Sequence, residues 1–287
     1  MFPIILVDTS YTSFYRFFAT LRWMSLSNKE EYEKHNSPSY DWSKNKIFIE
    51  KYEKMYLESI IKLVKPKVFN SSRVIFCMDS PKENVWRTKI QSDYKEGRCD
   101  LTVKNNFKPT FSYTYEKLIP ELIKNNTSHH VPGKGKVEHN IKSMRIDGME
   151  ADDIIASICL YYQKINPNQI IYIVSGDDDF LQLGRNNLYF VNYKKKASFT
   201  IDTNDAKQAL LKKILIGDPS DCIPGALKGK RLKKEIKEEL FLDDVKLQEY
   251  LKNNPDVMEK YKHNQLMINF NNIPTKLQEK VIKLLLK

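Results

Sequence analysis

Three short apolar runs punctuate an otherwise polar chain. PIILVD, RVIFCMD and IIYIVSGDDD each hold four or five consecutive apolar residues and then stop at acids, Asp8, Asp79 and Asp177 with its neighbours. Runs of about 4–8 residues rich in Ile, Val and Phe read as buried strands. The stretches between them carry a helical period, which predicts an α/β fold with a mainly parallel central sheet flanked by helices. In such sheets ligands bind outside the carboxyl ends of the strands. A single aspartate there is an ordinary N-cap for the next helix. Three of them, with more acids nearby, direct their carboxylates at one place.

Two further acidic elements follow the same logic. In IDGMEADDIIASICLYY, residues 146–162, Glu150, Asp152 and Asp153 occupy the first turn of a strongly apolar helix. Acids there suit the helix dipole, and Glu150 and Asp153, three apart, share a face. A helix so apolar also brings that turn to the core. In ILIGDPSDCIPG, residues 214–225, Asp218 and Asp221 are again three apart, and Gly217, Pro219, Pro224 and Gly225 mark a structured turn. Within SGDDDFLQL, Asp177, Asp178 and Asp179 stand in a row.

Basic residues gather in two places. WRTKIQSDYKEGR holds Arg87, Lys89, Lys95 and Arg98, and ALKGKRLKKEIKEELF holds Lys228, Lys230, Arg231, Lys233 and Lys234, the densest basic run. Phe107, Phe111, Tyr113 and Tyr115 interleave with lysines, a pattern that suits a surface tracking a nucleic-acid strand by charge and stacking. An amphipathic helix pair with a solvated loop is the competing reading of that stretch. The chain closes in the amphipathic NNIPTKLQEKVIKLLLK.

Composition agrees with an anionic partner. Lys and Arg number 47 against 36 Asp and Glu, a formal charge of +11 over 287 residues, which favours a polyanion over a neutral small substrate. Cys77, Cys99, Cys159 and Cys222 form no C-x-x-C pair, so neither a disulfide framework nor a zinc knuckle is expected, and the thiols fit an intracellular protein. FPIILV is too short for a signal or a membrane span, so a soluble protein is expected, and it is read as a monomer. No G-x-x-x-x-G-K-[ST] occurs, which sets aside a P-loop ATPase.

Like charges crowded into one cleft raise each other's pKa until some protonate, and a divalent cation removes the problem. Carboxylates with no accompanying His or Cys favour Mg²⁺, with Mn²⁺ as a substitute. So many acids exceed one ion's needs, so two ions about 4 Å apart are expected, as in phosphoryl transfer. A metal-dependent nuclease is the reading these residues support.

VDTSYTSFYR, CMDSP with WRTKIQSDYKEGR, DGMEADDIIA, SGDDDFLQL and ILIGDPSDCIPG, in that order, resemble the 5′ nuclease family, which includes the 5′–3′ exonuclease domains of DNA polymerase I, phage 5′ nucleases and flap endonucleases. The resemblance covers residues 1 to about 225. It implies a 5′–3′ exonuclease and flap endonuclease acting on DNA flaps, nicked duplex and 5′ ends, with RNA–DNA hybrids as a further substrate, in replication or repair. It also implies a nuclease core over 1–215, a helical arch around 85–145, and a helix-three-turn-helix grip within a helical DNA-binding region, 216–287, often built around K⁺. Carried over by position, Asp8, Asp79, Glu150 and Asp152 form the first metal site, Asp153 and Asp177 lie near both, and Asp179, Asp218 and Asp221 form the second. Asp178 falls at a variable position. Lys95 matches a lysine that approaches the scissile phosphate, with Arg87 and Arg98 beside it, and Tyr11 or Tyr15 would stack on a terminal base. The Gly-rich hairpin that comes after IPG in relatives is reduced here to Gly229, which shifts duplex grip toward the Lys and Arg side chains. Two alternatives are a PIN-type endoribonuclease, which would lack GDPSDCIPG with its basic helix, and a non-catalytic flap-binding protein, which would have lost acids.

Overall fold

The structure is a computed structural model that describes residues 2–96, 106–125, 129–131, 135–137 and 141–287. The three acid-tipped runs form β1 (Ile4–Asp8), β2 (Arg73–Met78) and β6 (Ile171–Val174). A hairpin, β3 (His129–Val131) and β4 (Gly135–Val137), stands apart. With β5 (Ile141–Arg145), β7 (Leu188–Asn192) and β8 (Ala197–Phe199) the three strands make a six-stranded sheet in the order β5-β2-β1-β6-β7-β8. Within this sheet, among the described residues, only the β7–β8 pair is antiparallel. The register pairs Asp8 with Cys77 and Val7 with Val174, so all three strands reach the same edge of the sheet side by side.

Every residue of β1 is buried, as a central strand covered on both faces must be. Ile4 and Leu6 face a cluster with Ile154, Ile155 and Ile158 of the helix Ala151–Ile165. Ile5 and Val7 face the opposite cluster, with Phe17 of the helix Thr9–Ser27 and Phe48, Tyr52 and Tyr56 of the helix Lys46–Val64. Strand alternation thus divides one run between two layers of helices. The mainly parallel sheet flanked by helices is the architecture the periodicity predicts.

The aromatic stretch is a helix pair. Phe107–Tyr113 and Ile119–Asn125 are helical, joined by one widened turn at Thr114–Leu118. Phe107 packs against Phe14 and Phe17, and with Phe111 it lines the cleft at the strand ends. Such widened turns often re-aim one side chain at a functional site. Here the Tyr115 hydroxyl accepts the Asp79 amide at 3.0 Å and lies 2.7 Å from Ser10 Oγ.

The basic run also differs from a helical reading. Lys228, Lys230, Arg231 and Lys233 lie in turns and coil after Pro224, and only Lys234 enters the helix Lys234–Leu242. The final helix, Thr275–Leu285, returns to the core, where Val281 and Leu285 join the cluster under β1. Among the described residues no helix is long and apolar enough to cross a membrane.

Candidate active site

Each acid reaches the sheet edge through its local chain. Asp8 caps the helix that follows β1 by accepting the Tyr11 amide at 3.0 Å, and Ser175, directly after β6, donates to its other oxygen at 2.9 Å. Asp79 accepts the Ala151 amide at 2.6 Å and the Ser10 hydroxyl, which ties the end of β2 to the start of the helix Ala151–Ile165. Glu150 and Asp153 close a capping box on that helix. Asp177 caps the turn that follows β6 by accepting the Asp179 amide at 2.9 Å. Gly176 leaves room for the Tyr11 ring there, because a Cβ would sit 1.9 Å from the Tyr11 hydroxyl and displace it.

Asp8, Asp79, Glu150, Asp152 and Asp177 line one cleft of about 460 Å³, together with Lys95 and the rings of Tyr11, Phe14 and Phe111. A narrow recess beside it is lined by Asp152, Asp179, Asp218 and Asp221. Asp152 therefore faces both spaces, the position that the sequence suggests for Asp153 and Asp177. Asp177 lines the first cleft, and Asp153 lines neither. Asp153 is fully buried and held by Trp86 Nε1 at 2.9 Å and Arg87 Nη2 at 2.8 Å. Asp178 is exposed.

The cations are placed unevenly. Arg87, also buried, donates to Glu150 at 3.1 Å and to the Met267 carbonyl at 2.8 Å, so its guanidinium braces acids instead of opening onto the cleft. Lys95, at φ +58°, sets its ammonium 2.6 Å from Glu150 and 3.6 Å from Asp221. Tyr94 donates to the same two carboxylates at 2.9 and 3.1 Å. Lys213 contacts Asp179 and lies 2.8 Å from Asp218. Arg98 lies outside the described residues.

Electrostatics follow from this placement. Burial, with the Asp79 charge next, pushes the Asp8 carboxyl up to about 7. Burial and repulsion from Glu150 raise both Asp79 and Asp152. Glu150 is buried as well, but Lys95 and Arg87 outweigh that and hold it at about 2. Asp218 is lowered, because the bonds from Lys213 and Ser220 outweigh its burial.

The donor set fits a hard divalent cation. One oxygen each from Glu150, Asp152 and Asp153 lies within 4.8 Å of the others, as does one each from Asp179, Asp218 and Asp221. Among the described residues no Lys, Arg or His lies within ion-pair distance of Asp8, Asp79, Asp152 or Asp177, so a +2 charge is the natural counterweight.

A pH dependence results. An Asp8 carboxyl raised from 3.8 to about 7 makes the metal-free fold bind that proton more tightly than the unfolded chain does. The resulting stability is fully present below 3.8 and is lost as pH rises through about 7. A cation must displace this proton, so divalent affinity should fall by about tenfold per pH unit below the folded pKa. Calorimetric Mn²⁺ titrations at pH 6 and pH 8 check this, with proton release at the lower pH, and a pH-independent affinity would refute it.

A family model for the 5′–3′ exonuclease, N-terminal resolvase-like domain, matches residues 3–210. The chain belongs to this 5′–3′ exonuclease family. A relative within it, the 5′–3′ exonuclease of Buchnera aphidicola subsp. Schizaphis graminum, is 31% identical over 170 residues, 56% of this chain and 50% of the relative. The chain thus spans about half the length of the Buchnera exonucleases it matches. Ribonuclease H of Enterobacteria phage T4 is 24% identical over 258 residues, 83% of this chain and 78% of that protein. The bacteriophage T5 D15 flap endonuclease, solved as a pseudo-enzyme-product complex with DNA and metal ions, superposes with a TM-score of 0.61 at 18% identity, covering 99% of this chain and 98% of that one. Its likeness extends the exonuclease-family fold past residue 210, through the C-terminal helices.

Several site residues carry little sequence signal. Ser10 and Ser175 stand two positions from Asp8 and Asp177, where a hydroxyl donor is readily suspected. Tyr115, legible in the sequence only as one of several aromatics, reaches Asp79 from a distant segment, and Lys213, five residues before Asp218, reaches Asp179 across the fold with no motif to mark it. Arg145, at the end of β5, donates to the Asp79 carbonyl at 2.8 Å and sits over the Tyr115 ring, which only the strand order reveals.

Proposed function

We propose that this chain is a metal-dependent phosphodiesterase that cuts DNA at 5′ flaps and 5′ ends, in replication or repair. The convergence of Asp8, Asp79, Asp152 and Asp177, none with an ionic partner among the described residues, in a cleft that also holds Lys95 carries this reading. Asp8, Asp79, Glu150 and Asp152 would hold the first divalent ion, with Asp177 beside it, and Asp179, Asp218 and Asp221 the second. Mg²⁺, replaceable by Mn²⁺, would supply a water of lowered pKa and charge stabilisation at the phosphorus. Lys95 would place its ammonium on the scissile phosphate, a charge-assisted contact that strengthens as negative charge builds on the phosphoryl oxygens. Its contact with Glu150 keeps it poised there. Tyr11, Phe14 and Phe111 offer rings for the terminal base, and stacking on such a ring contributes about 1–3 kcal/mol per base.

Beyond Tyr11 the aromatic wall continues into a neighbouring groove with Tyr15, Phe18, Arg22 and Lys194. The T5 protein was solved with DNA and metal ions, and the Buchnera relative is named a 5′–3′ exonuclease, which supports DNA as substrate. The phage T4 relative is named a ribonuclease H, which brings RNA–DNA hybrids into the proposed substrate class.

Duplex grip is assigned to Lys228, Arg231, Lys233 and Lys234, all exposed, rather than to a K⁺-centred hairpin. Lys230 is committed to Asp256 at 2.7 Å. Neutralising about three or four phosphates with side chains would make the slope of log affinity against log salt about −3. A slope near zero, or a marked K⁺ requirement for binding, would refute this assignment. The proposal as a whole is tested by 5′-labelled flap, nicked, blunt and RNA-primed duplexes incubated with Mg²⁺, Mn²⁺ or a chelator. Cleavage of flap and nicked DNA only with metal is expected, and cleavage indifferent to the 5′ structure or to metal would reject it.

A further inference from the structure

The second acid group already contains a cation of the protein's own. Lys213 stands in the last turn of the helix Thr203–Ile216, five residues before Asp218. Its ammonium touches Asp179 Oδ1 and lies 2.8 Å from Asp218 Oδ2. These two acids come from separate segments, the turn after β6 and the turn after the helix, and with Asp221 they present oxygens within 4.8 Å of one another. The ammonium bridges two of the three acids that would share a cation. In the first cleft Lys95 and Arg87 pair with Glu150 alone, and no cation among the described residues stands in ion-pair distance of Asp8, Asp79, Asp152 or Asp177. A lysine in a last helical turn ordinarily serves the helix dipole from the surface. This one is only 25% exposed, and it spans two carboxylates.

We propose that Lys213 is a built-in counter-cation that a divalent ion must displace from Asp179 and Asp218. It keeps the second acid group assembled before metal arrives and sets that group's affinity below that of the first. The lysine's flexible four-carbon stem and its partial exposure give the displaced ammonium a path to solvent. The inference rests on the metal-dependent reading of the site, but its test uses neither DNA nor turnover.

Mn²⁺ binding to the full chain is titrated by calorimetry and electron paramagnetic resonance for the natural protein, Lys213→Met and Lys213→Arg. Two classes of site are expected in the natural protein. Lys213→Met should tighten the weaker class by about tenfold, the size of effect expected from removing one competing charge-assisted contact, and leave the tighter class unchanged. Lys213→Arg should stay close to the natural protein. In thermal melting, Lys213→Met should fall below the natural protein in chelator and gain more from added Mn²⁺. An unchanged or weaker second class in Lys213→Met, or a melting loss equal with and without Mn²⁺, would overturn this role alone. No Mn²⁺ binding to any form would overturn it together with the reading beneath it.

Discussion

Asp152→Asn should lower DNA cleavage about a thousandfold or more, while binding to a 5′-flap duplex changes by no more than a few fold. Among the described residues Asp152 is the one acid that lines both the main cleft and the narrow recess. Its Oδ1 accepts the Asp153 amide at 2.7 Å, and no cationic side chain among the described residues pairs with it. Asparagine keeps the shape and removes the charge. Burial and repulsion from Glu150 raise the Asp152 carboxyl, so losing that charge should not lower the melting temperature of the metal-free protein. Asp178→Ala is the matched control. Its side chain is exposed and lines neither space, so cleavage should change by less than about twofold, in keeping with surface substitutions in general. Full activity in Asp152→Asn, or equal losses in both variants, would reject the assignment. Kinetics under single turnover, with binding measured separately by anisotropy, separate the two effects.

Lys95→Ala should cost about a hundredfold or more in turnover with little loss of affinity. The lysine lies at the edge of the cleft with its amide bonded to the Asp221 carbonyl at 3.2 Å, which fixes a backbone at φ +58° that aims the side chain inward. Removing it leaves Glu150 still bonded to Arg87 and Tyr94, so the acids stay in place. The exposed lysines and arginine after Pro224 would continue to hold duplex. A loss confined to binding would show that Lys95 grips substrate and does not act at the phosphorus.

Much of this site is legible in the chain because its acids are local to strand ends and helix starts. PIILVD, RVIFCMD and IIYIVSGDDD form β1, β2 and β6, three neighbours in one sheet. Parallel pairing carries Asp8, Asp79 and Asp177 to one edge without any further information. The division of labour among the acids is less accessible. Whether Asp152 or Asp153 turns toward the cleft depends on Trp86 and Arg87, which come from another segment and claim Asp153. The same non-local packing withdraws Arg87 from the main cleft, although it looks like a surface contact in the linear sequence. Lys213 is invisible to any local pattern, since a lysine in a polar helix is ordinary until two turns close around it. The basic run after Pro224 is legible as charge but not as conformation, because its residues lie in coil where lysine-rich sequence suits a helix equally well.

The central claim, that the converging carboxylates make a metal-dependent 5′ nuclease, is tested most directly by single-turnover cleavage of a 5′-labelled flap duplex by the metal-free protein, with Mg²⁺ added back. Cleavage near the base of the flap that is absent in chelator, restored by Mg²⁺ and lost in Asp152→Asn is the predicted result. Cleavage that persists in chelator, or that survives Asp152→Asn at full rate, would contradict it.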